Sequence, residues 1–251
     1  MTSRDRLILN VYAPVLTGND GRTLAVIEGM ERALPGVRLA WEISEEGRPL
    51  AIPRREVWLA EAAARGDFPL VCNGDEFHPV MVSGLNHSSS SSPGGQPQLQ
   101  VHARMPRDQV GVAVAMDVME QVGEGVRAQW GLLAPSPVMQ VIADQTGPKH
   151  YGPGQPPRGL PALELPEAIT VPEIPRHLGW LNYWSAAAAR AIGFPDPARD
   201  TELLSRSRRT ATGGWVVALT VAPLDLDQPA HLEALKRSYA RFPEMGGRSP
   251  P

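Results

Sequence analysis

The 251-residue sequence has one cysteine, few aromatic side chains and no long apolar run. The single Cys72 excludes an internal disulfide framework and any zinc site built from several cysteines. No stretch approaches the ~18 uncharged apolar residues that a membrane-spanning helix needs. The first six residues lead directly into a strand-like segment, so we expect no signal peptide. These absences predict a cytoplasmic protein without a membrane partner.

The charge is nearly balanced. The chain has 24 Lys and Arg against 27 Asp and Glu, which gives a net charge of −3 at pH 7. A protein that wraps nucleic acid carries a strong positive excess, so we expect no nucleic-acid partner. Hydrophobic residues make up 42% of the chain, which is ordinary for a globular protein with a sizeable core.

Glycine and proline, with 24 and 26 residues, divide the chain into short elements. Residues 1–147 alternate strand-like and helix-like segments, including a long apolar helix at about 106–130. Residues 148–178 contain eight prolines, which predicts a long irregular arm. Residues 179–251 predict a helix from about Trp180 to Ile192, a hairpin and a last helix, packed on the same core. Because no regular βαβ alternation occurs, we predict an α+β fold, with a mixed or antiparallel sheet packed with helices.

Strong catalytic signatures are missing from the sequence. It contains no Gly-x-Ser-x-Gly, Walker loop, His-Glu-x-x-His or Gly-x-Gly-x-x-Gly motif. Cys72 lies in an apolar strand-like segment, which favours a small buried hydrophobe over a nucleophile. The histidines are scattered over unrelated segments, whereas a metal site needs three or four converging ligands. We therefore predict no catalytic residue, no metal and no cofactor.

Two acidic pairs lie on predicted loops, Asp75 with Glu76 and Asp225 with Asp227. Paired carboxylates can act as general acid and base, and His78 lies close to the first pair in sequence. They can equally contact a basic partner, or lie in a solvated turn, and Asp227 is also a possible cap for the last helix. We assign both pairs to a partner-binding surface.

Trp180, Tyr183 and Trp184 are spaced three to four residues apart on the predicted helix. Aromatic anchors dominate binding hot spots, but the same spacing packs a helix onto a sheet, and core packing is the alternative interpretation. We include these three residues in the partner-binding prediction as an exposed rim. The serine run from Ser88 to Ser92 predicts a mobile surface loop, because no apolar group there offsets the entropy of ordering.

Seven segments together resemble a family of myxobacterial proteins of unassigned function that occur as many paralogues. The segments that carry this resemblance are Val11–Pro14, Asp20–Thr23, Phe68–Glu76, Gly179–Ser185, Thr210–Val217, Leu224–Pro229 and Tyr239–Pro243. Residues 179–248 are also similar to the immunity protein 52 family of polymorphic toxin systems. Neither resemblance brings an established catalytic residue, and the serine run departs from the pattern.

The immunity resemblance implies a non-enzymatic protein that binds and neutralises a cognate toxin domain. Two other functions remain open from the residues alone. One is an enzyme, hydrolase-like or transferase-like, with a site at Asp75, Glu76 and His78, which requires a concave pocket with a perturbed carboxylate. The other is an interaction scaffold that docks a partner through the proline-rich arm in extended form. The oligomeric state is not predicted.

Overall fold

A computed structural model describes residues 6–18, 20–146 and 157–248, and within these ranges the chain has ten strands and seven α-helices. The strands are β1 (Arg6–Pro14), β2 (Trp41–Ile43), β3 (Pro49–Ala51), β4 (Val71–Cys72), β5 (Met81–His87), β6 (Gln98–Pro106), β7 (Trp130–Pro135), β8 (Leu181–Trp184), β9 (Ser207–Arg209) and β10 (Trp215–Ala218). The helices are α1 (Arg22–Ala33), α2 (Arg55–Ala64), α3 (Gln109–Val126), α4 (Ser136–Ala143), α5 (Ala186–Ala191), α6 (Thr201–Leu204) and α7 (Pro229–Arg241).

All ten strands form one open sheet in the order β3-β2-β4-β5-β6-β1-β7-β8-β10-β9. Every neighbouring pair is antiparallel. The predicted α+β class with a sheet packed against helices is therefore confirmed. Because β7 pairs with β8, the strands before and after the proline-rich arm belong to the same sheet.

The central strand β1 is buried on both sheet faces. Its odd positions, such as Leu9 and Val11, face α3, and its even positions, such as Asn10 and Tyr12, face the opposite side. Gly123 allows α3 to pack closely against the sheet, since a Cβ at this position would lie 2.6 Å from the ring of Tyr183 in β8. We refer to the α3 side as the first face and to the other side as the second face.

The second face is covered over β1, β7 and β8 by α4, α7 and the arm. Tyr12 and Trp130 stack with ring centroids 4.2 Å apart, and Arg176 of the arm lies over the Tyr12 ring. Trp184 packs edge-on against Phe242, which directly follows α7. Beyond β6 the same face carries exposed apolar side chains on β2 and β5, namely Trp41, Ile43 and Leu85.

The helix predicted from Trp180 to Ile192 is wrong in its first part. Leu181–Trp184 form β8, and α5 begins only at Ala186 after the Ser185 cap. All four β8 residues are buried, because α3 covers one face and aromatic side chains around α7 cover the other. A strand buried on both faces loses its alternation of apolar and polar residues, so periodicity does not distinguish it from a helix. For the same reason β7, whose six residues are all buried, was not predicted.

The described part of the arm is irregular, as predicted, with short 3₁₀ turns at Pro157–Gly159 and Pro166–Ala168. Residues 148–156 of the predicted arm lie outside the described residues. The arm's apolar side chains Leu160, Leu163, Ile169 and Leu178 are buried in the protein's own core. No helix in the described ranges has both the length and the hydropathy to cross a membrane.

The serine run adopts regular local structure. Ser89–Ser91 form a 3₁₀ turn in which the Ser88 hydroxyl lies within hydrogen-bond distance of the Ser90 and Ser91 hydroxyls. The next turn is attached to the arm, since the Gly94 N–H donates to the Ile169 carbonyl at 2.7 Å. Local hydroxyl bonds and the arm provide contacts that the composition of the run did not indicate.

Candidate partner-binding site

The loop between β4 and β5, residues 73–80, is held in shape by two side chains. The Asn73 amide oxygen accepts hydrogen bonds from the N–H groups of Asp75 and Val80, and its amide nitrogen donates to the His78 carbonyl. The Asp75 carboxylate accepts from the N–H groups of Phe77 (2.8 Å) and His78 (3.0 Å). Asn and Asp stabilise tight turns in this way by replacing backbone acceptors.

This β4–β5 loop presents an aromatic side chain to solvent. Phe77 is 81% exposed, an unusual position for a large apolar ring on an otherwise ordered turn. At the base of the loop, Gly74 has a φ of +70°, and a Cβ there would lie 2.9 Å from the ring of Trp41. Trp41 therefore packs directly against the loop backbone. Sequence reasoning selected the acidic residues here and missed Phe77, although its place after an Asn-Gly-Asp turn is a detectable signal.

The loop is negatively charged at neutral pH. Hydrogen bonds from the His78 and Phe77 N–H groups hold the pKa of Asp75 below its usual value. Glu76 is exposed next to it. A general acid at neutral pH needs a raised carboxyl pKa, and the Asp75 pKa moves in the opposite direction. Three cavities among the described residues, of about 230, 390 and 240 Å³, have linings that do not include Asp75, Glu76 or His78.

The second acidic pair lines a cavity of about 390 Å³ beside α4, together with Arg107 and Arg158. The predicted cap role of Asp227 is wrong, because α7 begins at Pro229 and the capping position is Gln228. Asp227 instead pairs with Arg158 at 2.7 Å. Hydrogen bonds from the Asp227 N–H and the Gln228 amide lower the pKa of Asp225. Asp225 and Asp227 are thus part of a compensated, ordered charge cluster.

Both acidic pairs lie at the same end of the sheet. The β4–β5 loop leaves the sheet where Met81 pairs with Arg104, near the end of β6. The cavity of Asp225 and Asp227 is lined by Arg107, just beyond β6, and by Pro135, the last residue of β7. The tertiary structure therefore gathers on one end of the sheet two loops that are about 150 residues apart in sequence.

The prediction that Trp180, Tyr183 and Trp184 form an exposed rim is wrong. All three side chains are buried, with at most 4% of their surface exposed. The Trp180 indole donates to the Thr220 carbonyl, and the Tyr183 hydroxyl donates to Glu124 at 2.6 Å. Core packing, the alternative interpretation, is the one that the structure supports.

No metal centre is formed within the described ranges, where no three His, Cys, Asp or Glu side chains converge. Cys72 is buried in β4, as its apolar surroundings predict. The histidines at 78, 87 and 102 lie on separate elements, and His150 is outside the described residues.

The fold and this surface define an α+β protein with a large antiparallel sheet and a preordered acidic loop. The chain belongs to the family described as "Domain of unknown function (DUF5953)", which matches residues 18–250. No curated protein matches the chain. Among solved structures, the chain is similar to "Pseudomonas aeruginosa T6SS protein PA0821", with a TM-score of 0.56 and 11% identity over 95% of this chain and 74% of that one. At this identity the likeness shows a shared fold.

Proposed function

We propose that this protein binds and neutralises a cognate toxin domain, and that the β4–β5 loop contacts the toxin. The proposal starts from the resemblance, predicted from the sequence, of residues 179–248 to the immunity protein 52 family. It is also in keeping with the T6SS name of the structural neighbour. The single observation that carries it is the 81% exposed Phe77 on a loop whose backbone is fixed by Asn73 and Asp75.

A preordered aromatic side chain is well suited to be a binding anchor. An exposed phenyl ring gains most of its burial energy only when a partner covers it. Association normally costs free energy for ordering loops, and a loop already fixed by its own hydrogen bonds avoids much of that cost. A few such anchors supply most of the affinity in tight protein complexes.

The charges around Phe77 favour a basic partner. Asp75 and Glu76 directly precede Phe77 on the loop and carry its negative charge, whereas Asp225 and Asp227 at the same end of the sheet are balanced by Arg107 and Arg158. Complementary charges accelerate association and discriminate between partners more than they increase final affinity. A toxin domain with a positively charged surface, such as a nuclease, therefore fits this end of the sheet.

The proposal is tested by sequencing the neighbouring reading frames for a toxin domain and co-expressing the protein with any toxin domain found there. We expect the protein to restore growth and to form a stoichiometric complex, measured by calorimetry. Phe77→Ser removes the anchor and should weaken the complex at least about 30-fold, the equivalent of a hot spot of ~2 kcal/mol. Val171→Ser is the matched control, since Val171 is exposed on the arm near the opposite end of the sheet.

Two substitutions at Asp75 separate its charge from its structural role. Asp75→Asn keeps an oxygen that can accept the Phe77 and His78 N–H groups, so it should slow association and reduce the salt dependence without loosening the loop. Asp75→Ala removes both the charge and the hydrogen-bond acceptor, so it should slow association and also speed dissociation. Equal binding by the wild type, Phe77→Ser and Asp75→Ala would remove the loop from the interface. Failure to rescue growth from the adjacent toxin, or the absence of such a gene, would refute the immunity function.

A further inference from the structure

A second site lies between the second face of the sheet and α4. A cavity of about 240 Å³ is lined there by Arg6 of β1, by His102 and Arg104 of β6, and by Ser136 of α4. The arginines are diagonal neighbours, because Arg6 pairs with Pro106 and Ile8 pairs with Arg104. Diagonal neighbours across two strands are roughly 7–8 Å apart, so both guanidinium groups reach the same cavity.

The Arg104 side chain is positioned by a chain of hydrogen bonds along the sheet. Its Nε donates to His102 Nε2 at 2.9 Å, and His102 Nδ1 lies 2.8 Å from the Asn10 amide oxygen. These bonds require a neutral His102 with the proton on Nδ1. Burial and the Arg104 charge lower the pKa of His102, in agreement with that form. Arg104 is exposed, and among the described residues its one hydrogen bond uses Nε, so both terminal Nη groups face solvent and can contact a ligand that enters the cavity.

The positive charge of this cavity is not compensated by its lining. No carboxylate lines it, whereas two other cavities of the described residues contain Asp200 with Glu202 and Asp225 with Asp227. The buried Nε–H of Arg6 also has no hydrogen-bond partner there. Two guanidinium groups beside each other repel, and an unpaired buried donor costs free energy, so an anion between them would relieve both.

We propose that this cavity binds a phosphate-type oxyanion, either inorganic phosphate or the phosphate monoester of a small molecule. Two positive charges match a dianion, and the planar guanidinium of Arg104 offers two parallel N–H donors to its oxygens. The Ser136 hydroxyl provides a further donor at the cavity wall. His102 and Asn10 are positioning residues that orient Arg104.

The test is an NMR titration of the full chain with inorganic phosphate and, separately, phenyl phosphate at constant ionic strength. We expect saturable shifts at the amides of Ile8, Arg104 and Ser136. Arg104→Gln and Arg6→Gln should each weaken binding at least tenfold. Arg190→Gln is the control, because Arg190 is an exposed helical arginine that lines none of the three cavities. Tighter binding of the monoester would identify an esterified ligand, and tighter binding of phosphate would identify the free ion.

Two further results would overturn the proposal. One is a non-saturating response, or shifts that map to the cavity that contains Asp200 and Glu202, which Arg199 and Arg237 also line. The other is unchanged affinity in both cavity variants. If either glutamine variant fails to fold, Arg104→Lys keeps the charge but loses the planar fork and the contact to His102, and it should still bind several-fold more weakly. His102→Gln should weaken binding less than Arg104→Gln, since it only loosens the orientation of that side chain.

Discussion

The ion pair between Asp200 and Arg241 should contribute far more to stability than an exposed pair of the same chemistry. Asp200 has a fully buried side chain and accepts two hydrogen bonds from Arg241, at 2.6 and 2.9 Å. It also accepts the Asp196 N–H at 2.7 Å. The pair ties the end of α7 to the segment after α5, where the Gly193 carbonyl also accepts from Arg241.

The expected magnitude follows from burial. Asp200→Ala leaves the guanidinium of Arg241, whose side chain is 15% exposed, without its partner. Breaking a buried pair in this way typically costs about 3–5 kcal/mol, because an uncompensated charge remains in a low-dielectric environment. For a chain of this length that corresponds to a fall in Tm of roughly 6–20 °C.

The exposed pair of Arg158 and Asp227 is the matched control. Its side chains are 39% and 81% exposed and its distance is 2.7 Å, so Asp227→Ala should cost about 0–1 kcal/mol. Urea unfolding of both variants measures the two costs. The double variant Asp200→Ala with Arg241→Ala should lose less stability than the sum of the single variants. Equal costs for Asp200→Ala and Asp227→Ala would refute the argument from burial.

Two further predictions concern the core and pH. Gly123→Ala places a Cβ 2.6 Å from the Tyr183 ring, so urea unfolding should show a loss of about 1–3 kcal/mol, and an unchanged midpoint would contradict the close packing. Burial and the charge of Arg176 lower the pKa of His177 to about 3. Between pH 3 and 6.5 the folded state therefore binds fewer protons than the unfolded state. The contribution of neutral His177 to the free energy of unfolding is complete above pH 6.5. It is lost as the pH falls toward 3, by at most about 1.4 kcal/mol per pH unit. His177→Gln should flatten the pH dependence of unfolding over that range, and an identical pH profile would contradict it.

Local sequence patterns predicted those strands, helices and loops whose conformation is determined mainly by their own residues. Strand β6 places Leu99, Val101 and Ala103 in the core, as predicted. The helix predicted at about 106–130 is α3 (Gln109–Val126), which buries Val118, Met119, Val122 and Val126 but leaves Val110 59% exposed. The α+β class and the irregular arm follow from the same patterns and from the prolines. The loop around Asp75 was also located correctly, because Asn and Asp stabilise turns through their own side chains.

Burial, exposure and the convergence of distant side chains were determined by the tertiary structure. Strands β7 and β8 are buried on both faces, so their apolar runs carry no strand periodicity, and only their neighbours make them strands. The exposure of Phe77 and the convergence of Arg6 and Arg104 likewise depend on strand order and register. A sequence encodes each residue's preference for burial or hydrogen bonding. The partner that satisfies this preference is determined only when the chain folds, because the residues in contact are far apart in the sequence.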